Sequence, residues 1–276
     1  MTNALDDFVK DTVKKNSKEN QKPKIKINEG RLYTHGYYVI KVDGFSDIVL
    51  LSPTIEEVIG KEDDDEERFW HTVNVFTSNS TSNKLMLWEL GVDWNTVSDF
   101  KMFLMLLNCA EQSKLDLLFK DFIKSDFDII TKETDGTQEI ALFNRKTNTF
   151  IDENTYNKIA LCFRTIFNIF PKTELATDEA TKQAFIDEDL FNLQSAEQGS
   201  NCGSALKPIL SACCNHGGFK YKPTELNELN VYVLMDAIAQ IQVYESATSV
   251  MKGMYSGFVD GKKIDPKAYN FVRSGS

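Results

Sequence analysis

The sequence predicts a mainly α fold: a helical core with a small N-terminal β-hairpin and a second β-hairpin near 128–143. Three observations carry this expectation. Apolar residues recur at three-and-four spacing along most of the chain. Two β-rich runs are each broken by an Asp-Gly pair. Hydrophobic residues make up 42% of the 276, with 19 phenylalanines, so a large and Phe-rich core can be buried.

Taken in order, residues 1–24 read as a flexible basic arm. Leu5, Phe8, Val9 and Val13 share one helical side, and seven lysines fall between Lys10 and Lys26. Residues 25–171 read as an N-terminal α+β domain. In it, Arg31–Val42 and Phe45–Leu51 flank Asp43-Gly44 as a hairpin. Thr54 and Glu57 have capping-box spacing at the start of a short helix, with Pro53 before it. Gly60 and the acidic run Asp63–Glu67 end that helix, and Phe69–Phe76 is apolar again.

Gly91 stops a helix through Trp88, and Ser98-Asp99 caps the next. That helix, with Phe100 and Met102–Leu107, is apolar all round and is expected at the centre of the core. A helical stretch at Lys114–Ile123 follows, and then Asp128–Thr131 and Glu139–Phe143 flank Asp135-Gly136. Asp152 caps a strong amphipathic helix that contains Tyr156, Ile159, Phe163, Ile166 and Phe167 and is closed by Pro171.

Residues 172–203 read as an acidic connector with one marginal helix at Thr177–Phe191, and residues 204–276 as a C-terminal helical unit. Within that unit, Ala205–Cys214 is a helix ended by Gly217-Gly218, and Pro223–Leu229 makes one helical turn. Asn230 caps a long helix to about Tyr255, and a turn with a short helix follows to Arg273. Gly253 inside the long helix costs roughly 1 kcal/mol relative to alanine.

The formal net charge of −10 repels phosphate backbones, so no nucleic-acid partner is expected. No apolar run approaches ~20 residues, so no membrane span is expected. Five cysteines, two of them adjacent, behind an N-terminus without a basic start and apolar stretch, point to a reducing cytoplasm without disulfides.

Residues that could carry chemistry are sparse. His35 falls in a predicted strand, His71 beside Trp70, and His216 in a helix-ending loop. No His-Glu-x-x-His, Gly-x-Ser-x-Gly or phosphate-loop pattern occurs. Cys202, Cys213, Cys214 and His216 offer four metal-ligand types, but adjacent cysteines cannot easily take two corners of one tetrahedron, so core packing is favoured. The run Asp63–Glu67 lacks the alternating spacing and central glycine of a calcium loop and reads as solvated. Trp70, Trp88 and Trp94 sit in apolar helical settings and read as core. No catalytic, cofactor-binding or metal-binding residue is assigned, and no enzyme activity or cofactor is expected.

The helix at 230–255 is apolar on more than one face, which requires several neighbouring helices or a partner chain. The residues expected to face a partner are Leu234, Ile238, Ile241, Met251, Met254 and Tyr255.

Two segments also carry a resemblance. Met254–Pro266 resembles the ends of proteins from tail-morphogenesis regions of phages of Gram-positive bacteria, where a long helix closes in a Tyr-x-Gly turn followed by an Asp and Lys-Ile-Asp/Asn. Lys84-Leu-Met-Leu-Trp88-Glu-Leu-Gly91-Val-Asp93, leading into Ser98-Asp99-Phe100, resembles their Leu-Trp-(Asp/Glu)-x-Gly-(Ile/Val)-Asp segment. Thr149–Glu153, Ser204–Gly218 and Tyr221 fit the same pattern, so the likeness is spread over residues 84–273. Such proteins are tail assembly chaperones or uncharacterised phage structural proteins. The resemblance implies a non-catalytic phage protein of the infected host's cytoplasm that holds a tail or tape-measure component during assembly. A structural virion component (neck, tail or capsid-associated) is the alternative, and a homo-oligomer stays open under either.

Overall fold

A computed structural model of the protein describes residues 26–134, 137–199, 203–258 and 260–272. The arm expected at 1–24, the turn pair Asp135-Gly136, Cys202 and the last four residues lie outside the described residues. The chain is mainly α with two small antiparallel sheets, as the sequence predicts.

The first described element corrects one expectation. Arg31–His35, read as strand, belongs to helix α1 (Glu29–His35). Leu32 in its middle is fully buried, and Gly36 ends it at φ 69° with its N–H donating to the Leu32 carbonyl at 3.0 Å. Burial of that one leucine overrides the strand preference of Tyr33 and Thr34. The hairpin therefore shrinks to β1 (Tyr37–Ile40) and β2 (Ile48–Leu51), paired antiparallel from Tyr37↔Leu51 to Ile40↔Ile48. Gly44 still turns the connection at φ 79°.

Most of the capping signals form as expected, though Asn230 begins its helix without a side-chain cap bond. Thr54 and Glu57 form a reciprocal capping box at α2 (Ile55–Ile59), with the Thr54 N–H donating to Glu57 Oε2 at 2.8 Å. Helix α3 (Asp65–Thr77) begins inside the acidic run. Helix α4 (Lys84–Glu89) stops before Gly91, which has φ 68°. Ser98 caps α5 (Asp99–Leu106). Helix α6 (Gln112–Leu118) is shorter than expected, because Phe119 turns extended and bridges Leu50 of β2.

The second hairpin, β3 (Phe127–Thr134) with β4 (Thr137–Asn144), gains a strand the sequence did not announce, β5 (Thr149–Ile151). Asn144 makes that turn possible: its side-chain oxygen accepts from the amides of Lys146 and Thr147, at 2.9 and 3.2 Å. Asp152 then caps α7 (Glu153–Phe167) by accepting from the Thr155 amide at 2.8 Å, and Asn168 closes it at φ 53°. Three helices follow: α8 (Glu179–Gly199), α9 (Leu206–Cys214) and α10 (Val231–Tyr255).

The main core is centred on α3 and α7 rather than on α5. Helix α7 packs on α3, α5, α10, β1 and β5. The Phe76 ring of α3 lies 5.2 Å from Phe103, 5.2 Å from Phe119, 5.5 Å from Phe163 and 6.3 Å from Phe122. Helix α5 sits at the edge of this cluster, burying Phe100, Met102 and Phe103 while exposing Met105. Leu206, Leu226, Leu229 and Val231–Leu234 belong to the same cluster, so the start of the C-terminal segment shares this core.

Replacing Phe76 by alanine removes the ring all four neighbours share, and should lower unfolding free energy by about 3–5 kcal/mol in urea titrations. Gly36→Ala should cost about 1–2 kcal/mol by the same measurement, since any other residue is strained at that positive φ. A Cβ there would also lie 3.1 Å from the Asn230 side chain.

Candidate functional site

The reactive side chains are dispersed. His35 ends α1 with Nδ1 2.6 Å from its neighbour Thr34 Oγ1. His71 Nε2 lies 3.5 Å from Glu67, and both are exposed. His216 accepts the Gly218 amide on Nδ1 at 3.0 Å and places Nε2 3.6 Å from Glu245 of α10. Cys162 is buried in α7, which pushes its thiol up to about 12. Cys213 is also raised by burial. Among the described residues, no group of three His, Cys, Asp or Glu could hold a metal ion.

The acidic run is only partly the solvated loop the sequence suggested. Asp63, Asp64 and Glu67 are exposed, but Asp65 and Glu66 are structural. The Asp65 carboxylate accepts from the amides of Lys61 (2.8 Å) and Glu62 (2.9 Å), from Arg68 (2.9 Å) and from the buried Lys114 (2.5 Å). The Glu62 amide, then the Lys114 ammonium, then the Lys61 amide hold this carboxyl far below the usual carboxylate range.

Glu66 is buried and accepts from Trp70 Nε1 at 3.2 Å and from the Leu206 amide at 2.8 Å. It thus supplies the missing acceptor for the first turn of α9, from 140 residues away in sequence. The signal for this was present: Glu66 falls on the same helical face as Phe69, Val73 and Phe76.

The first part of the expected connector, residues 172–189, is docked. Asn95 exchanges two bonds with the Ala176 backbone, at 2.8 and 3.2 Å. Asn79 donates to the Lys172 carbonyl at 2.9 Å. Helix α8 packs Ile186 against Leu87 and Trp94 in a second apolar cluster that includes Ala176. The buried Lys84 pairs with Asp189 at 2.9 Å, and Lys182 pairs with Asp93 at 3.0 Å. The tryptophans divide accordingly: Trp94 is core, Trp70 is half-buried against Phe69 and Phe167, and Trp88 lies partly open beside a cavity of about 330 Å³ shared with Asp93 and Lys182.

Beyond Asp189 the character of α8 changes. Phe191 is 68% exposed and Leu193 52% exposed, with Asp187 and Glu188 exposed beside them. A second apolar end lies at the close of α10. There Tyr255 is 88% and Phe258 91% exposed on either side of Gly257, which turns at φ 77°. The tail then returns along α10: the turn Pro266–Tyr269 packs on the helix, and the Phe271 ring stands edge-on to Tyr244 at 6.2 Å.

The six residues expected to face a partner are therefore split. Leu234 is fully buried in the main core and cannot meet one, because the first turn of α10 fills the space beside α7. Ile238 packs half-buried against the same core, and Ile241, Met251 and Met254 are half-buried. Met254 lies under the returning tail at Gly261, where a Cβ would sit 2.6 Å from its Cε. Tyr255 is open to solvent. Periodicity did not single out Phe191, Leu193 or Phe258, because exposure depends on where neighbouring elements end.

Residues 197–272 match the family model described as the YomV second domain, a phage-associated domain. The matched stretch begins at the end of α8 and takes in α9, α10 and the returning tail. Tyr255 and Phe258 lie inside it, and Phe191 and Leu193 lie outside. No curated protein and no solved structure matches the chain. No helix among the described residues is long and apolar enough to cross a membrane.

The Asp65 network sets a pH dependence with a defined sign. The folded-state pKa is depressed below the unfolded value of about 3.9, so its stabilisation is complete above that pH and is lost as pH falls through the folded value. Urea midpoints measured from pH 6 to pH 2.5 should fall for the natural chain. Asp65→Asn should be less stable at pH 6 and show a flatter acid profile.

Proposed function

We propose that this chain is a phage protein that acts by binding protein rather than by catalysis, assisting tail assembly by holding a tail or tape-measure component. The carrying observation is the exposure of Phe191, Leu193, Tyr255 and Phe258 at two helix ends. Full burial of such a side chain is worth about 1.5–3 kcal/mol, so each end holds free energy that only association can release. The phage-associated domain over residues 197–272 supports the setting. The net charge of −10 supports solubility for a molecule that keeps apolar surface open.

Three of the displaced proton affinities follow from packing. Burial raises Cys162, burial and the nearby Asp99 raise Tyr156, and burial with the Glu29 carboxylate raises Tyr232.

The test is a pull-down of the purified chain with the tail-tube and tape-measure proteins of the same phage. Binding is expected, and Phe191→Ser or Phe258→Ser should weaken it by about 30-fold, the loss typical of one aromatic anchor. Failure to capture either component would end the holding role. Stoichiometric presence of the chain in purified particles would replace it with the virion-component reading.

A further inference from the structure

We infer that these two ends also bind each other between copies of this chain, with the basic aromatic tip of one copy seated on the acidic overhang of the next. This rests on the reading of both ends as protein-binding surfaces, and it names a second copy as an occupant.

Helix α8 runs antiparallel to α4. Lys182 reaches Asp93 beyond the last residue of α4, Ile186 meets Leu87, and Asp189 pairs with Lys84, the first residue of α4. Residues 190–199 therefore have no α4 beneath them, and at 1.5 Å per residue they project about 15 Å past it. The apolar stripe that docks the first half continues onto this projection at i, i+4, i+7 spacing: Ile186 is buried, Leu190 is 38% exposed and Leu193 is 52% exposed. The surface is acidic as well as apolar. At the base of the projection, Asp187 and Glu188 are exposed within about one turn of Phe191.

The tip is its complement. Residues 249–272 carry four lysines against two aspartates in a chain of net charge −10. Both aspartates turn onto backbone amides, Asp260 onto Lys262 at 3.1 Å and Asp265 onto Lys267 at 2.9 Å. Lys252, Lys262 and Lys263 stand exposed around Tyr255 and Phe258. Pairing either end with itself would oppose like charges, whereas pairing tip with overhang opposes unlike charges and covers both apolar surfaces. Such a contact is head-to-tail, so it builds a ring or an open chain rather than a twofold dimer.

Sedimentation velocity of the full chain over a concentration range tests this. At about 0.05 M salt the average mass should rise with concentration above the 31.4 kDa monomer, and at about 0.5 M salt association should be at least about tenfold weaker. Lys262→Glu with Lys263→Glu, and separately Asp187→Lys with Glu188→Lys, should each give a monomer. An equimolar mixture of the two variants should associate again, because each then offers the other's missing charge. A monomer at every concentration and low salt, association that survives both reversals, or a mixture that stays monomeric would each overturn the inference. A monomeric chain that still captures a tail component would end this proposal alone, and a self-associating chain that captures none would end the holding role alone.

Discussion

A carboxylate cannot sit in an apolar core without donors, and Glu66 finds its two donors on opposite sides of a long-range join. Trp70 comes from its own helix, while the Leu206 amide opens the first helix of the phage-associated stretch. The join is reinforced by backbone. The Val231 amide donates to the Pro53 carbonyl at 2.9 Å, the Ile55 amide to the Leu229 carbonyl at 3.0 Å, and the Tyr232 amide to Ser52 Oγ at 3.2 Å. Tyr232 also donates its hydroxyl to Glu29 of α1 at 3.0 Å. The phenylalanine cluster of the N-terminal part is therefore completed by residues 206–234, and the phage-associated stretch is part of the same packed body where it begins.

Charge in this molecule is divided between work inside and display outside. Asp65 fixes the Lys61–Glu62 turn, and its closeness explains Gly60: a Cβ there, at φ 70°, would lie 2.3 Å from the Asp65 Cβ. Lys84, Lys114 and Arg164 all reach inward. Arg164 donates to the Thr77 and Ser78 carbonyls at 2.8 and 2.9 Å and so closes the end of α3. The carboxylates left at the surface include Asp187 and Glu188, and the exposed cations include Lys252, Lys262 and Lys263 at the far end of α10.

Local chemistry was the legible part of the fold. Thr54 with Glu57, Ser98, Asp152 and Gly91 each end or begin a helix where their residue types say they should, because a cap is satisfied within four residues. Long-range packing was not legible in the same way. Helix α1 exists because Leu32 is drawn into a core assembled from α3, α7 and α10, which no local window contains. Strand β5 is three residues long and is held by the Asn144 turn and its pairing with β4. Helix α8 runs to Gly199 rather than Phe191, and its Asp189 and Lys182 pair with Lys84 and Asp93 from another part of the chain. The candidate surface was read least well. Leu234 and Tyr255 look alike in a helical projection, and only the place where α7 ends and the tail returns separates a core residue from an exposed one.

Helix α10 is one uninterrupted rod of 25 residues, roughly 37 Å at 1.5 Å per residue. Its first turn is locked among α7, α1 and the Ser52–Pro53 segment, and its last turn carries the exposed tyrosine. Such a rod acts as a strut: it holds whatever meets the tip at a set distance from the Phe76 cluster, and a sideways pull on Tyr255 is delivered to Val231 as torque.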